Sequence, residues 1–210
     1  MSYIFYAVLS ILANIICYIT NPIVCLFANE VGQLPKALRY WQTWDNPLDI
    51  EWMISEEIVP KIFRYDFNKH YIYHYEQKSN YEVVPGYVEL IDPNFTIKER
   101  IQRYFCRLAW MYRNTAYGFD YEVTSKKVLI KNIDIKKQYY NDQYNQMIFS
   151  VDSSTPWYNK TFKFYYYKKW SKKFYLRIYL GWKLTNSKEN PEGIDVAMLA
   201  LFVNPFRMVK

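Results

Sequence analysis

The N-terminal part of the chain is a long apolar stretch, since no charged side chain occurs in residues 2–29. The unbroken apolar pattern from Tyr3 to Ile19 predicts one helix. Because proline disfavours helical geometry in the residue before it, we expect a break or kink at Asn21, which precedes Pro22. A helix over Tyr3–Ile19 covers about 25 Å of the roughly 30 Å of a membrane's hydrocarbon core, and the apolar residues 23–28 add the missing length.

Three interpretations of this stretch are open: a single-span or re-entrant membrane anchor, a buried core helix, and a helix lying in the membrane interface. Polar residues at Ser10, Asn14, Cys17 and Asn21 share one helix face, which could meet a partner helix or the chain's own sheet. An interfacial helix normally has a charged face, and that face is missing here. We therefore expect residues 1–28 to form a membrane anchor.

Residues 29–60 form a connector rich in tryptophan, proline and acidic residues. Trp41 and Trp44 follow the apolar stretch closely, and tryptophan suits the headgroup level of a membrane, where its ring and its N–H group are both satisfied. We predict these two residues to lie at the membrane interface; the alternative is that they cap the core of the folded body. Because the bases Lys36 and Arg39 follow the stretch, the positive-inside rule favours a cytoplasmic C-terminal part.

The stretch Thr96–Arg113 predicts an amphipathic helix. Thr96 and Glu99 have the spacing of a capping box. Apolar residues then recur every three or four positions, at Ile97, Ile101, Tyr104, Phe105, Leu108, Met111 and Tyr112. The basic residues fall on the remaining surface, at Lys98, Arg100, Arg103, Arg107 and Arg113. This basic surface is either a solvated helix exterior or a contact surface for phosphate.

The two histidines of the chain lie in Lys69–Glu76, where alternation predicts a strand. His70, His74 and Glu76 would share one face of that strand, which makes a metal site conceivable. Residues four apart on a strand are about 13 Å from each other, too far for one ion to bind both. We therefore predict no metal site.

Short alternating segments fill the rest of the chain and predict strand after strand. They are Phe119–Val123, Lys127–Ile135, Gln146–Val151, Thr161–Lys168, Phe174–Leu184 and Ile194–Val203. The connections are short, so antiparallel hairpins are expected. The sequence thus predicts an α+β fold with an N-terminal apolar helix, one central amphipathic helix and a mainly antiparallel sheet of five to six strands.

Two neighbouring strands of this sheet alternate tyrosine and base on the face opposite the apolar one. In the strand Phe174–Leu184, Trp182 points to the core, and Gly181 on the other face marks a bulge or a place where a tyrosine ring lies flat. The residues predicted to form a polyanion-binding face are Lys163, Tyr165, Tyr167, Tyr175, Arg177, Tyr179 and Lys183. Such a face suits single-stranded nucleic acid or anionic lipid headgroups. It is also typical of a solvated sheet on which tyrosines pack against lysine stems.

The charge is unevenly distributed along the chain. Residues 1–60 contain two bases and six acids, and the remaining 150 residues contain 25 bases and 14 acids, a net charge of +11. A basic body suggests a polyanionic neighbour, either nucleic acid or an anionic membrane surface. The usual motifs of serine hydrolases, zinc proteases, dithiol redox proteins and nucleotide-binding loops do not occur. We therefore predict no enzymatic activity and no cofactor.

Four sequence blocks carry a resemblance to a known family. The first block has three parts, Thr20–Val24, Gln33–Lys36 and Gln42–Asp49. The other three blocks are Met111–Phe119, Leu176–Leu184 and Phe202–Phe206. In order and spacing they resemble a family of unknown function encoded by tailed bacteriophages and prophages, whose members are described as putative membrane proteins. Trp44 stands where the family pattern has a proline, and the segment Phe63–Phe95 is longer than usual. The resemblance covers nearly the whole chain and implies no catalytic residue.

The sequence therefore predicts three regions: an apolar anchor (1–28), an acidic connector (29–60) and a basic, aromatic α+β domain (61–210). The expected function is that of a non-enzymatic bacteriophage accessory protein at the host inner membrane, acting on anionic lipid through its basic aromatic surface. One alternative is a soluble phage protein in the host cytoplasm that binds nucleic acid or a host defence factor. Another is a virion component whose apolar helix is buried between subunits. The oligomeric state is left open.

Overall fold

The structure is a computed structural model that describes residues 3–43, 45–50, 59–75, 77–78, 83–84, 86–142, 145–172, 174–184 and 193–208. The chain divides into two compact units. Ser10–Glu122 forms the first, which we call the helical unit, and Met1–Leu9 together with Val123–Lys210 forms the second, the sheet unit. Helix α1 (Tyr3–Val24) begins in the sheet unit and ends in the helical unit.

Helix α1 continues through its proline, so the predicted break at Asn21 is wrong. A 3-10 turn, Cys25–Phe27, then extends it. Pro22 has no N–H group for the carbonyl of Tyr18, which lies four residues earlier. The hydroxyl of Tyr112 donates to that carbonyl at 3.2 Å and replaces the missing hydrogen bond. A tertiary contact thus permits a helix that the local sequence disfavours.

Helix α2 (Ile97–Arg113) confirms the predicted capping box. The Thr96 hydroxyl accepts a hydrogen bond from the Glu99 backbone N–H at 3.2 Å, and the Thr96 N–H donates to the Glu99 carboxylate at 2.8 Å. The predicted apolar face is partly wrong, because Ile97 and Ile101 are exposed. The buried residues of α2 are Gln102, Cys106, Arg107, Trp110 and Met111. The buried side of α2 therefore differs from the expected one, and it includes Arg107, which pairs with an acidic residue.

Removal of the helix cap should lower stability modestly. We expect Thr96→Ala to reduce the free energy of unfolding by about 1 kcal/mol, because an N–H group at the start of the helix loses its acceptor. Thr96→Ser keeps the hydroxyl and should retain most of this stability. Urea denaturation of the two variants and the wild type measures the difference. Equal losses in both variants would show that the methyl group of Thr96, and not its hydroxyl, stabilises the helix start.

The remaining elements of the helical unit are short. It contains 3-10 turns at Lys36–Trp41 and Lys61–Phe63, a helical turn at Phe67–His70, and four short strands. The strands are β1 (Tyr71–His74), β2 (Gln77–Lys78), β3 (Val83–Val84) and β4 (Tyr87–Leu90). Strand β1 pairs with β4, and β2 pairs with β3, both antiparallel. Its core contains Leu48, Ile50, Tyr71, Trp110 and Met111, all buried.

The predicted strand Lys69–Glu76 is shorter in the structure, and its two histidines have different surroundings. His70 ends the helical turn Phe67–His70, is fully buried and stacks on Phe95 with ring centroids 3.9 Å apart. His74 lies on β1, where its Nε2 is 3.0 Å from the Glu89 carboxylate. Because a helical turn places His70 outside the strand, His70 and His74 do not share the strand face that the alternation predicted. Glu76, the third residue of that face, lies outside the described residues.

The sheet unit contains a five-stranded antiparallel sheet with the order β11-β9-β8-β7-β6. Its strands are β6 (Ile133–Asp142), β7 (Asn145–Asp152), β8 (Phe162–Lys169), β9 (Phe174–Trp182) and β11 (Leu199–Met208). Two further strands, β5 (Lys126–Leu129) and β10 (Ile194–Ala197), pair with each other. The predicted α+β class and the mainly antiparallel sheet are confirmed.

The structure corrects three of the predicted strands. The predicted strand Phe119–Val123 is wrong, since the chain is helical at Tyr117–Phe119 and forms a π-helical turn at Asp120–Thr124. Gly118 fits this helical path closely, because a Cβ atom there would lie 2.4 Å from the backbone oxygen of Arg39. In addition, the predicted strands Lys127–Ile135 and Ile194–Val203 each divide into two strands, so that one sheet becomes two.

The core of the sheet unit forms around Trp182, which is fully buried as its alternation predicts. Its ring lies 5.5 Å from that of Tyr3 and 6.1 Å from that of Phe162, and its indole N–H donates to the Thr124 carbonyl at 3.2 Å. The adjacent Gly181 has φ +97°, and a Cβ atom there would lie 2.0 Å from the Phe162 carbonyl oxygen. A neighbouring backbone, not a tyrosine ring, therefore requires glycine at this position.

Candidate functional site

Along helix α1 and the 3-10 turn Cys25–Phe27, the large apolar residues are exposed and the small or polar residues are buried, the reverse of a surface helix in a water-soluble protein. Between positions 4 and 27, every exposed residue has a large apolar or aromatic side chain. These residues are Ile4, Phe5, Val8, Ile11, Leu12, Ile15, Ile16, Tyr18, Ile19, Ile23, Leu26 and Phe27. The buried residues are small or polar with one exception, the valine: Ala7, Ser10, Ala13, Cys17, Asn21, Val24 and Cys25. A water-facing helix normally buries its large apolar side chains and exposes its polar ones.

The exposed residues form one continuous surface, which we call the outer face of α1. At about 100° per residue, its members occupy roughly half of the helix circumference. The exposed fraction is 72% at Ile19 and 63% at Ile23. By length and composition, Tyr3–Phe27 is the one helical segment among the described residues that is apolar enough to cross a membrane, and only 17% of its most apolar window is buried. A core helix of the same composition would be mostly buried.

The inner face of α1 is held by hydrogen bonds within the helical unit. The indole N–H of Trp41 donates to the Thr20 hydroxyl at 2.8 Å, and the Tyr104 hydroxyl donates to the Pro22 carbonyl at 2.9 Å. Ala13 and Cys17 pack in a small buried cluster with Ala116, Trp41 and Phe119. The stretch from Ala13 to Cys25, which comprises the C-terminal half of α1 and the first residue of the 3-10 turn, is therefore fixed to the helical unit along one side.

The predicted polar stripe on α1 faces the interior of the protein. Ser10, Cys17 and Asn21 are buried. Asn14 is half-buried, and its side-chain amide donates to the Ser10 carbonyl at 2.8 Å. The stripe thus identifies the side of the helix that packs inward, which leaves the large apolar residues on the outside.

Trp41, predicted as a membrane-interface residue, is half-buried against the core of the helical unit. Its N–H group is used by Thr20 within the fold. This arrangement corresponds to the alternative interpretation, in which Trp41 caps the core. Trp44, the other predicted interface residue, lies outside the described residues.

The predicted tyrosine and base residues of β8 and β9 lie on one sheet face. Tyr165 is opposite Tyr179, Tyr167 is opposite Arg177, and Lys163 is opposite Gly181. The rings of Tyr165 and Tyr167 stack with centroids 4.9 Å apart, and Tyr167 stacks on Tyr175 at the same distance. Strand alternation thus places these side chains together, as the sequence predicts.

This face is more tightly packed than a solvated surface. The Lys163 ammonium donates to the Leu184 carbonyl at 3.0 Å, and burial lowers the pKa of Lys163. Burial also raises the pKa of Tyr179 to about 12. The guanidinium carbon of Arg177 lies 5.4 Å from the ring centroid of Tyr167 and 5.0 Å from that of Phe202. Replacing these cations would disturb packing as well as charge.

Two further members of the predicted face differ in exposure. Tyr175 is buried, with 7% of its surface exposed. Lys183 directly follows β9 and is half-buried, and its backbone N–H donates to the Met198 carbonyl at 2.8 Å. Within the described residues, no group of three or more histidine, cysteine, aspartate or glutamate side chains is placed to hold a metal ion.

The fold and the outer face of α1 together define an α+β protein whose N-terminal helix presents its large apolar side chains outward. A family of unknown function, DUF7338, matches residues 1–210, and the chain belongs to that family. No curated protein and no solved structure matches the chain. The membership in a family of unknown function that the sequence blocks indicate is therefore confirmed.

Proposed function

We propose that the protein is a non-enzymatic bacteriophage accessory protein that acts at the inner membrane of the host, with α1 as its membrane-binding element. The observation that carries this proposal is the outer face of α1, on which twelve large apolar or aromatic side chains are exposed. The phage origin rests on the resemblance of the four sequence blocks. Water is an unfavourable environment for a surface of this composition, whereas a lipid leaflet is a favourable one.

The energetic gain from membrane contact is large enough to determine where the protein resides. Complete burial of one isoleucine, leucine or phenylalanine side chain contributes about 1.5–3 kcal/mol. The twelve residues are between 45% and 72% exposed. Transfer of their exposed parts into lipid therefore contributes roughly 10 kcal/mol, before the cost of immobilising the protein.

The charge of the body supports an anionic membrane as the partner. Residues 61–210 carry 25 bases and 14 acids. A lysine or arginine close to an anionic leaflet contributes about 1 kcal/mol, an effect that falls as salt rises. We propose that the tyrosine and base face of β8 and β9 adds such a contact, secondary to that of α1.

Vesicle flotation tests the role of the outer face. In the variant Ile15→Ser/Ile19→Ser/Ile23→Ser, three exposed isoleucines of α1 become polar. We expect the partition onto vesicles of phosphatidylcholine and phosphatidylglycerol to fall about a hundredfold, because each substitution removes about 1 kcal/mol of apolar contact. Full-length wild-type protein should float with the vesicles.

The helical unit offers a matched control for this experiment. Ile62, Ile91 and Ile97 are also exposed isoleucines, with exposed fractions of 72%, 48% and 80%. The triple variant Ile62→Ser/Ile91→Ser/Ile97→Ser should float as the wild type does. A wild-type protein that stays in the aqueous fraction, or equal losses in the two triple variants, would contradict the proposal.

A further inference from the structure

We propose that α1 lies in the plane of a single leaflet and does not cross the bilayer. This inference rests on the proposed membrane association and specifies its geometry. In this geometry the outer face of α1 contacts one leaflet, at the boundary between its headgroups and its acyl chains. Both ends of α1 then lie at the same depth.

The first argument is that protein, and not lipid, covers the inner side of α1. From Ala13 to Cys25 the inner face packs within the helical unit, a length of about 18 Å at 1.5 Å per residue. The hydrogen bonds to Tyr18, Thr20 and Pro22 lie within this length. A spanning helix needs about 20 residues inside the hydrocarbon core. Placing α1 across the bilayer would carry the attached unit into the hydrocarbon with it.

The second argument concerns the charges that would accompany the helix. Tyr112, whose hydroxyl donates to the Tyr18 carbonyl in the C-terminal half of α1, is followed directly by Arg113. Trp41, which bonds Thr20, is two residues from Arg39, whose guanidinium pairs with the partly exposed Glu122 at 3.2 Å. Charged groups are costly in the hydrocarbon core. An in-plane position keeps them on the water side of the helix.

The third argument explains why α1 lacks a charged face of its own. An interfacial helix normally combines an apolar face with a polar, charged one. In this protein the helical unit packs on the side of α1 where that face would be, so residues of the unit, and not of α1, lie toward the water on that side. The absence of charge in residues 2–29 is therefore compatible with an interfacial helix that is built into a folded domain.

The shape of the outer face favours a leaflet over a second copy of the chain. The exposed apolar residues extend over roughly half of the circumference, whereas a helix that pairs with one other helix presents a narrow apolar seam. Both ends of the segment contribute, with Ile4 72% exposed and Phe27 58% exposed. A broad, uniform surface of this kind fits a fluid apolar layer.

Spin-label depth measurements test this geometry on the full-length protein. Single cysteines are introduced at Val8, Ile15, Ile19 and Ile23, which lie within about 80° of one another around the helix. The three native cysteines are buried, so the unsubstituted protein measures background labelling. Ile97→Cys on α2 serves as the aqueous reference. Depth is read from the relative access of oxygen and a water-soluble nickel complex, with vesicles of phosphatidylcholine and phosphatidylglycerol.

We expect all four α1 labels to lie about 5–10 Å below the headgroups and to agree within about 4 Å. Depth that changes steadily by about 1.5 Å per residue, with Ile15 near the bilayer centre, would overturn the in-plane geometry but leave membrane association intact. Labels that stay as accessible to nickel as Ile97→Cys would overturn the proposed function itself. Spin–spin broadening between copies without vesicles would instead identify a second copy of the chain as the occupant.

Discussion

Replacement of Arg107 by methionine is expected to lower the free energy of unfolding by about 3–5 kcal/mol, because the change leaves a buried carboxylate without its partner. Arg107 and Asp49 are 5% and 2% exposed. The Arg107 Nε lies 3.0 Å from one Asp49 oxygen and 3.1 Å from the other, and its Nη2 donates to the Asn29 carbonyl at 2.9 Å. Tyr65 adds a hydrogen bond to the same carboxylate at 3.2 Å.

The ion pair also determines the ionisation of the arginine. Burial disfavours the charged guanidinium, but the adjacent Asp49 carboxylate outweighs this effect and raises the pKa of Arg107 above its ordinary value. Arg107→Met therefore removes a permanent charge and leaves the buried Asp49 carboxylate without a cationic partner.

Urea denaturation of Arg107→Met measures the loss, and two variants show its origin. Arg100→Met changes an exposed arginine of the same helix and should alter stability by less than about 0.5 kcal/mol. Addition of Asp49→Leu to Arg107→Met removes the orphaned charge and should recover part of the loss. An Arg107→Met protein as stable as the wild type would show that the pair is not buried as described.

Replacement of Trp182 by alanine is expected to cost about 3–5 kcal/mol in the sheet unit, through lost apolar contact and the cavity that remains. Trp182 is fully buried, and Lys126 lies over its ring with the ammonium 4.3 Å from the centroid. Such a loss is a large part of the roughly 5–15 kcal/mol that stabilises a typical domain.

Trp157 provides the matched control for this substitution. It belongs to the same unit but is 88% exposed, so Trp157→Ala should change the free energy of unfolding by less than about 0.5 kcal/mol. Trp182→Phe keeps part of the apolar volume and should fall between the two. Denaturation followed by circular dichroism compares the three variants. Similar losses for Trp157→Ala and Trp182→Ala would contradict the assigned register of β9.

Local patterns predicted the parts of the fold that local forces determine. The capping box at Thr96 and Glu99 fixes where α2 begins, and strict alternation in β9 fixes which face holds Trp182. In both cases the signal lies within a few residues of the element, so tertiary contacts have little opportunity to override it.

The errors occur where distant residues decide the outcome. Helix α1 continues through Pro22, and the hydrogen bond to the Tyr18 carbonyl that the proline cannot donate comes from Tyr112, ninety residues later in the chain than Pro22. Arg107 appeared to belong to a basic exterior, and only the proximity of Asp49 in the fold explains its burial. The segment Phe119–Val123 alternates like a strand, but the chain is helical there. Next to it, Gly118 packs so closely against the backbone of Arg39 that a larger residue would not fit. None of these contacts is visible in a local pattern.

The location of the candidate site was predictable, but the polar stripe left the orientation of the helix open between a partner helix and the chain's own sheet. The absence of charge in residues 2–29 indicated a special role for the apolar stretch. Hydrophobicity alone could not show that its small and polar residues face inward. That distinction depends on close packing, since residues such as Ala13 and Cys17 allow the helical unit to approach α1 and leave Ile15 and Ile19 outside.

Fractionation of cells that express the full-length protein tests the central claim most directly, namely that the outer face of α1 holds the protein on a membrane. We predict that the protein sediments with the membranes and remains there after washes with high salt and with alkaline carbonate, because apolar contact does not depend on charge. The variant Ile15→Ser/Ile19→Ser/Ile23→Ser should be released by the same washes. A wild-type protein found as a soluble monomer in the supernatant would contradict the account.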